Sequence, residues 1–203
     1  MHLLGERTLG VVILVLLGVL VTVKRVATGS VLDRPEGGLL VQVVNVFNLL
    51  FLLVVNPVAA ILLIARRLAA ADPTHVTVAR PTLAVLEITG LILYVGGFLV
   101  MAAALLTLGE NYQLGGCSPR PGDSLVRKGP YRLVRHPMYL AAWCICLGLS
   151  CLIQSWAAFG LFCVYVVLVL VLVPTEEEGL LNVYGEQYAS FQQTTRRLVP
   201  FVY

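Results

Sequence analysis

The chain has 203 residues, of which 59% are hydrophobic and only 12% are charged. That charged fraction is about half of what a soluble globular domain carries, so the composition excludes a soluble enzyme domain. The formal net charge is only +3, and neither a basic helix nor an aromatic stacking platform accompanies it, which argues against a nucleic-acid partner.

Long apolar runs predict an all-α, polytopic membrane protein with about five transmembrane helices. Each run approaches the roughly 20 residues that cross a bilayer as a helix. Only Gln154 and Ser155 separate the last two runs, so these two helices should form a tight hairpin. The predicted spans are residues 9–26, 39–64, 83–108, 137–153 and 156–173.

The distribution of Lys and Arg predicts the orientation of the chain. With the N-terminus outside, ten of these residues fall in cytosolic segments and four in outer segments, as the positive-inside rule requires. Residues 1–108 are then an N-terminal region of three spans. Residues 109–203 form a catalytic region of loop, two-span hairpin and C-terminal tail, and both the loop and the tail are cytosolic.

Charged residues mark the entrance to the fourth predicted span, at Arg135-His136-Pro137. Proline is favourable in a first helical turn because its missing N–H would be unpaired there anyway. The Arg and His admit two interpretations, an anchor at the membrane interface or part of a site.

A Glu triplet, Glu176-Glu177-Glu178, follows the fifth predicted span. The local pattern predicts a new helix that Thr175 caps, with acidic residues in its first turn. The short hairpin also makes the start of span four and the end of span five neighbours. We therefore expect His136 to lie close to Glu176, and a carboxylate beside a His at a membrane mouth is a candidate for holding a cationic ligand.

A few polar residues lie inside the predicted spans. Gln42, Asn45 and Asn48 are three apart and share one helix face, which predicts hydrogen bonds between helices. Glu87 is expected to snorkel toward the outer surface or to act as an N-terminal acid. Asn56-Pro57 should kink the second span. The cysteines within the spans have neither CxxC spacing nor His neighbours, so no metal site is predicted.

Several short motifs follow one another in the C-terminal half, on either side of the two-span hairpin. By their order and spacing, this half resembles the isoprenylcysteine carboxyl methyltransferase family and its relatives among the membrane phospholipid methyltransferases. The motifs are Leu108-Gly109-Glu110-Asn111, Leu125-Val126-Arg127-Lys128-Gly129-Pro130-Tyr131, Arg135-His136-Pro137-Met138-Tyr139, Pro174-Thr175-Glu176-Glu177, Leu180, Tyr184-Gly185-Glu186-Gln187-Tyr188 and Arg197-Leu198-Val199-Pro200.

The resemblance implies a cytosol-facing pocket for S-adenosylmethionine. The implied catalytic residues are Arg135, His136, Glu177 and Arg197. The implied cofactor contacts are Leu125, Val126, Tyr131, His136, Pro137, Met138, Tyr139 and Glu176.

The resemblance further implies methyl transfer to a lipophilic or prenylated acceptor from the bilayer, as in protein-S-isoprenylcysteine O-methyltransferase. A carboxylate acceptor is favoured over an amine, although Leu172 stands where prenylcysteine-directed members have an Arg. An anionic acceptor needs no general base, whereas an amine acceptor would use His136.

Three alternatives remain open. They are a phospholipid or other amine N-methyltransferase, an NADPH-dependent membrane sterol-type reductase, and a non-catalytic membrane module. The second would need a basic cluster for a 2'-phosphate, and the available residues are Arg127, Lys128, Arg132 and Arg135.

Overall fold

A computed structural model describes residues 4–32, 37–113 and 122–199 of the chain. Within these ranges the protein is helical, and the described residues form no β-strand beyond two isolated bridges. Four helices are long and apolar enough to cross a membrane, and a shorter apolar helix packs among them. The prediction of an all-α polytopic fold with about five apolar helices is therefore confirmed.

The first two spans are α1, Glu6–Thr28, and an interrupted helix that runs from Leu39 to Ile64. The second begins as α2, Leu39–Leu50, passes through one π-helical segment, Phe51–Val55, and continues as α3, Asn56–Ile64. The π-helical segment ends two residues before Pro57, whose missing N–H removes one bond of the regular ladder.

Asn56 compensates for that irregularity with its side chain. Its Nδ2 donates to the Phe51 carbonyl at 2.8 Å, and its Oδ1 accepts from the Tyr94 hydroxyl at 2.6 Å. The kink predicted at Asn56-Pro57 stays a prediction, and a buried hydrogen bond connects Asn56 to the third span.

After α4, Leu68–Ala71, the third span is α5, Arg80–Leu108. It packs closely on α6, Pro137–Ile153, through glycines on both helices. A Cβ added at Gly148 would lie 2.6 Å from the Tyr94 nitrogen, so only glycine permits this approach of the two backbones.

Glu87 on α5 is 1% exposed. The prediction that it snorkels to the outer surface or acts as an N-terminal acid is wrong, because the side chain is buried and lies beyond the first turn of α5.

The last two long helices form the predicted hairpin. α6 ends at Ile153, Gln154 adopts a left-handed conformation with φ of 50°, and α7 runs from Trp156 to Tyr184. Ser155 caps α7 by accepting a hydrogen bond from the Ala158 nitrogen at 3.2 Å. α8, Glu186–Thr194, follows after Gly185.

α7 corrects one prediction made from the sequence. The helix does not end near residue 173 but continues through Pro174 to Tyr184, so Thr175 does not cap a new helix. Its 29 residues rise about 43 Å, whereas the hydrocarbon core of a bilayer is about 30 Å thick. α7 is therefore longer than a helix that crosses the hydrocarbon core at right angles needs to be.

Candidate active site

Glu177 lies at the centre of a buried ionic cluster where α6, α7 and the C-terminal tail meet. Arg135 Nε donates to Glu177 Oε1 at 2.7 Å, and Arg197 Nη2 lies 2.8 Å from Glu177 Oε2. His136 Nε2 is 3.2 Å from Glu177 Oε1. Because a carboxylate can only accept, His136 Nε2 is the donor and carries the proton in this arrangement. Three side chains thus converge on a carboxylate that is 4% exposed.

Backbone pairing explains why Arg197 reaches this cluster although it lies 20 residues beyond Glu177. The Arg135 nitrogen donates to the Arg196 carbonyl at 2.8 Å, and the His136 nitrogen donates to the Arg197 carbonyl at 3.1 Å. The Arg135 guanidinium also donates to the carbonyls of Gln192 and Thr195. These bonds join the tail to the entrance of α6.

Glu176 lies beside this cluster but points elsewhere. Its Oε2 accepts from the Tyr139 hydroxyl at 2.8 Å, and its Oε1 is 3.7 Å from His136 Nδ1. The side chain is 18% exposed, and it lines a cavity of about 370 Å³. Successive residues of a helix point about 100° apart, so neighbouring glutamates face the cavity and the buried cluster respectively. The predicted proximity of His136 and Glu176 is present in the structure.

The cavity has a polar end and an apolar end. Glu176, His136 and Tyr139 lie at the polar end, together with Tyr184 and residues of the loop before α6. Toward the membrane interior the lining becomes aliphatic, with contributions from α1, α2, the π-helical segment, α5 and α6. On the side formed by α2 and the π-helical segment, this apolar end carries Val46, Leu49 and Leu53, each more than 40% exposed on the protein surface. A lipid chain could therefore enter from the side.

The loop before α6 forms one wall of the polar end. Leu125, Val126 and Tyr131 line the cavity there, and Tyr131 is buried within a short 3₁₀ turn, Gly129–Arg132. Burial, followed by the nearby charge of Glu176, raises the pKa of Tyr131 far above its usual value. Tyr131 therefore stays a neutral phenol that offers an aromatic face and a hydroxyl donor.

Most of the predicted cofactor contacts meet at this cavity. Seven of the eight line it, namely Leu125, Val126, Tyr131, His136, Met138, Tyr139 and Glu176. Pro137 is buried in the first turn of α6 and is absent from the lining. Of the four predicted catalytic residues, Arg135 and His136 line the cavity. Glu177 and Arg197 lie behind it, in the ionic cluster.

Sequence reasoning missed several residues of the cavity wall, which are contributed by the N-terminal helices. Lys24 from α1 lines the polar end, donates to the Val31 carbonyl at 2.8 Å and lies over the Tyr112 ring. Asn48 from α2 lines the apolar end. In the sequence, the run of Gln42, Asn45 and Asn48 along one helix face was the feature that could have indicated a role for Asn48.

The basic residues near the site are engaged in structural contacts. Arg127 donates to the Gln187 carbonyl and lies over the Phe191 ring, which holds α8 in place. Arg135 belongs to the Glu177 cluster. Two of the four cations that a reductase would need for a 2'-phosphate are thus already occupied, which disfavours the reductase alternative.

Comparison with known proteins gives three similarities. The phospholipid methyltransferase family matches residues 85–187, about half of the chain. Protein-S-isoprenylcysteine O-methyltransferase A of Arabidopsis thaliana is 30% identical over 115 residues, which is 56% of this chain and 58% of that protein. The chain is therefore matched to little more than half the length of this relative.

The third similarity is to a solved structure, the eukaryotic intramembrane Ras methyltransferase isoprenylcysteine carboxyl methyltransferase. The TM-score is 0.54 at 19% sequence identity, and the alignment covers 92% of this chain and 74% of the other. At that identity the likeness shows the fold. It extends to the N-terminal helices, which the motifs in the sequence do not cover.

Proposed function

Because the chain belongs to the phospholipid methyltransferase family, we propose that it transfers a methyl group from S-adenosylmethionine to a lipophilic acceptor within the membrane. The observation that carries this proposal is the position of Glu176. Its carboxylate faces the polar end of the cavity, 2.8 Å from the Tyr139 hydroxyl, while its neighbour Glu177 is occupied by the ionic cluster.

The residues present fit the methyl donor. The donor has an ammonium group and an adenine ring, which call for a carboxylate and an aromatic or polar lining. Glu176 supplies the carboxylate, and Tyr131, Tyr139 and His136 supply the lining. When bound, the donor would supply a sulfonium methyl group as the electrophile. The protein would contribute alignment of donor and acceptor, which can be worth on the order of 7 to 11 kcal/mol.

The apolar end of the cavity supports an acceptor that comes from the bilayer. Its aliphatic lining and the exposed side chains of Leu49 and Leu53 suit a hydrocarbon chain better than a water-soluble substrate. The acceptor group would then meet the donor at the junction of the two ends, beside His136. A water-poor junction also favours methyl transfer from a cation to an anion, since charge is neutralised there.

We favour O-methylation of a carboxylate over N-methylation. His136 donates from Nε2 to Glu177, and its Nδ1 faces Glu176 at 3.7 Å, so both ring nitrogens are directed at carboxylates. An amine acceptor requires a base to remove its proton, whereas a carboxylate does not. Leu172, one helical turn before Glu176, is 1% exposed and packs in the core, so a carboxylate finds no cation at that position.

Donor binding tests the proposal directly. Glu176→Gln keeps the shape of the side chain but removes the charge that would hold an ammonium group. Loss of a charged hydrogen bond should weaken S-adenosylmethionine binding about 10- to 100-fold by calorimetry. Glu178→Gln is the matched control, because Glu178 is exposed on the same helix and does not line the cavity. Equal affinity in the two variants, or no binding by the unmodified protein, contradicts the proposal.

A further inference from the structure

One face of α1 leads from the apolar end of the cavity to its polar end. Leu20, Val21 and Lys24 all line the cavity. Residues four apart lie on the same face of a helix, so Lys24 stands one turn beyond Leu20 on the cavity wall. A molecule that lies along this wall would have its apolar tail beside Leu20 and Val21. Its head group would then lie beside the Lys24 ammonium.

The Lys24 ammonium is a cation that a ligand in the cavity can reach. The side chain is partly exposed and belongs to the cavity wall. Its Nζ donates to the Val31 carbonyl at 2.8 Å and lies 5.4 Å from the centre of the Tyr112 ring. A lysine head group has rotatable donors on a flexible stem, so it can also turn toward an anion in the cavity.

The other two basic side chains of the described cavity wall are held by Glu177. Arg135 donates to this carboxylate at 2.7 Å and also to two backbone carbonyls near the C-terminus. His136 Nε2 donates to the same carboxylate at 3.2 Å. Among the described residues, Lys24 is therefore the cation best placed to receive a carboxylate inside the cavity.

Lys24 and Glu176, the carboxylate proposed to hold the donor, lie on different walls of the cavity. α1 packs mainly on α3 and α5, whereas α7 packs mainly on α6, α2 and α8. The donor's own carboxylate is attached to the same carbon as its ammonium group, so it would stay beside Glu176. A carboxylate that pairs with Lys24 would instead approach the donor from another side, as an acceptor must.

We propose that Lys24 binds the carboxylate of the acceptor and thereby selects anionic lipids, an inference that rests on the proposed function. In the transfer, a carboxylate oxygen takes the methyl group in a new C–O bond. The S–C bond breaks with its electron pair left on sulfur, and no proton moves. The product is a neutral ester, which no longer pairs with Lys24 and can leave into the bilayer.

The test compares an acid with its own methyl ester, N-acetyl-S-farnesylcysteine and N-acetyl-S-farnesylcysteine methyl ester. The two share one tail and differ in the charge that Lys24 would recognise. The full-length protein in detergent micelles is incubated with equal concentrations of both, without methyl donor. Native mass spectrometry then gives the ratio of bound acid to bound ester. Lys24→Met should lower this ratio about 10-fold, the factor that loss of a charged hydrogen bond contributes.

Two further variants of α1 serve as controls. Lys24→Arg keeps a cation at the position and should keep most of the preference for the acid. Arg25→Met removes the neighbouring cation, which is exposed and does not line the cavity, so the ratio should not change. Because both ligands are measured in one sample, partial unfolding of a variant lowers both signals and does not by itself lower the ratio.

Three results would overturn the inference. The first is equal retention of acid and ester by the unmodified protein, and the second is a ratio that Lys24→Met leaves unchanged or that Arg25→Met lowers equally. The third is loss of S-adenosylmethionine binding in Lys24→Met with the acid preference kept, because Lys24 would then hold the donor. Failure of the proposed methyl transfer would appear separately, as absent S-adenosylmethionine binding by the unmodified protein.

Discussion

At the scale of single residues, two adjacent glutamates have different environments and therefore different expected roles. Glu176 faces the cavity and is partly exposed, whereas Glu177 is buried among Arg135, His136 and Arg197. We interpret Glu177 as a positioning residue that holds His136 and the C-terminal tail in place. Glu176 is the residue expected to contact the donor.

Removing the Glu177 charge should destabilise the protein more than it changes the chemistry of the cavity. Glu177→Gln leaves two guanidinium groups facing a neutral amide, and breaking a buried ion pair costs about 3 to 5 kcal/mol. Thermal unfolding in detergent should show a large drop in Tm for Glu177→Gln and a small one for Glu176→Gln. Equal Tm values for these two variants would contradict the division of roles.

The pH dependence of methyl transfer should identify the acceptor group. A reaction that depends on an imidazole base slows as the pH falls through about 6.5, because the base becomes protonated. A carboxylate acceptor stays ionised well below that value, so we expect activity to persist at pH 5.5. The measurement is the rate of labelled methyl incorporation into membrane lipid across pH 5 to 8. A sharp loss below pH 6.5, with donor binding intact, would favour an amine.

At the scale of helices, close packing of α5 and α6 fixes the wall on which the site is built. Gly90 and Gly97 of α5 face α6, and a Cβ added at Gly97 would lie 2.8 Å from the Ala141 carbonyl. Small residues of this kind let membrane helices approach closely. The entrance of α6, with His136 and Tyr139, takes its position from this contact.

Two neighbouring glycines provide a matched test of that packing. Gly97→Ala introduces the clash and should destabilise the protein by about 1 to 3 kcal/mol. Gly96→Ala meets nothing within 4 Å, so it should be neutral or slightly stabilising, because alanine favours the helix over glycine. Differential scanning fluorimetry of both variants in the same detergent measures the difference. Equal stability would show that the α5–α6 interface can separate without cost.

At the scale of the whole molecule, the cavity connects a polar site to the membrane interior. The positive-inside rule predicts that the polar end faces the cytosol and that the N-terminus lies outside. A reporter active only in the cytosol, fused after residue 203, should therefore be active, and the same reporter fused at the N-terminus should be silent. The reverse pattern would invert the predicted topology.

Part of this architecture could be predicted from the sequence because it depends on local features. The length of each apolar run predicted the spans, and the two-residue turn at Gln154-Ser155 predicted that His136 and Glu176 would meet. The prediction that Thr175 caps a new helix was wrong, because a cap is inferred from a few neighbouring residues, whereas α7 continues through Pro174. Lys24, Asn48 and the environment of Glu87 depend on packing between distant helices, and no short sequence pattern encodes that packing.

The length of α7 has a further consequence for the reaction. Tyr165 and Glu176 both line the cavity and lie on one continuous helix, so the distance between the two ends of the cavity is set by that helix. A bilayer that is thinner or thicker than the helix requires makes the protein tilt or the lipid deform. The depth at which an acceptor's reactive group rests would then shift relative to the donor. Membrane thickness thereby becomes a determinant of turnover, independent of any change in the site itself.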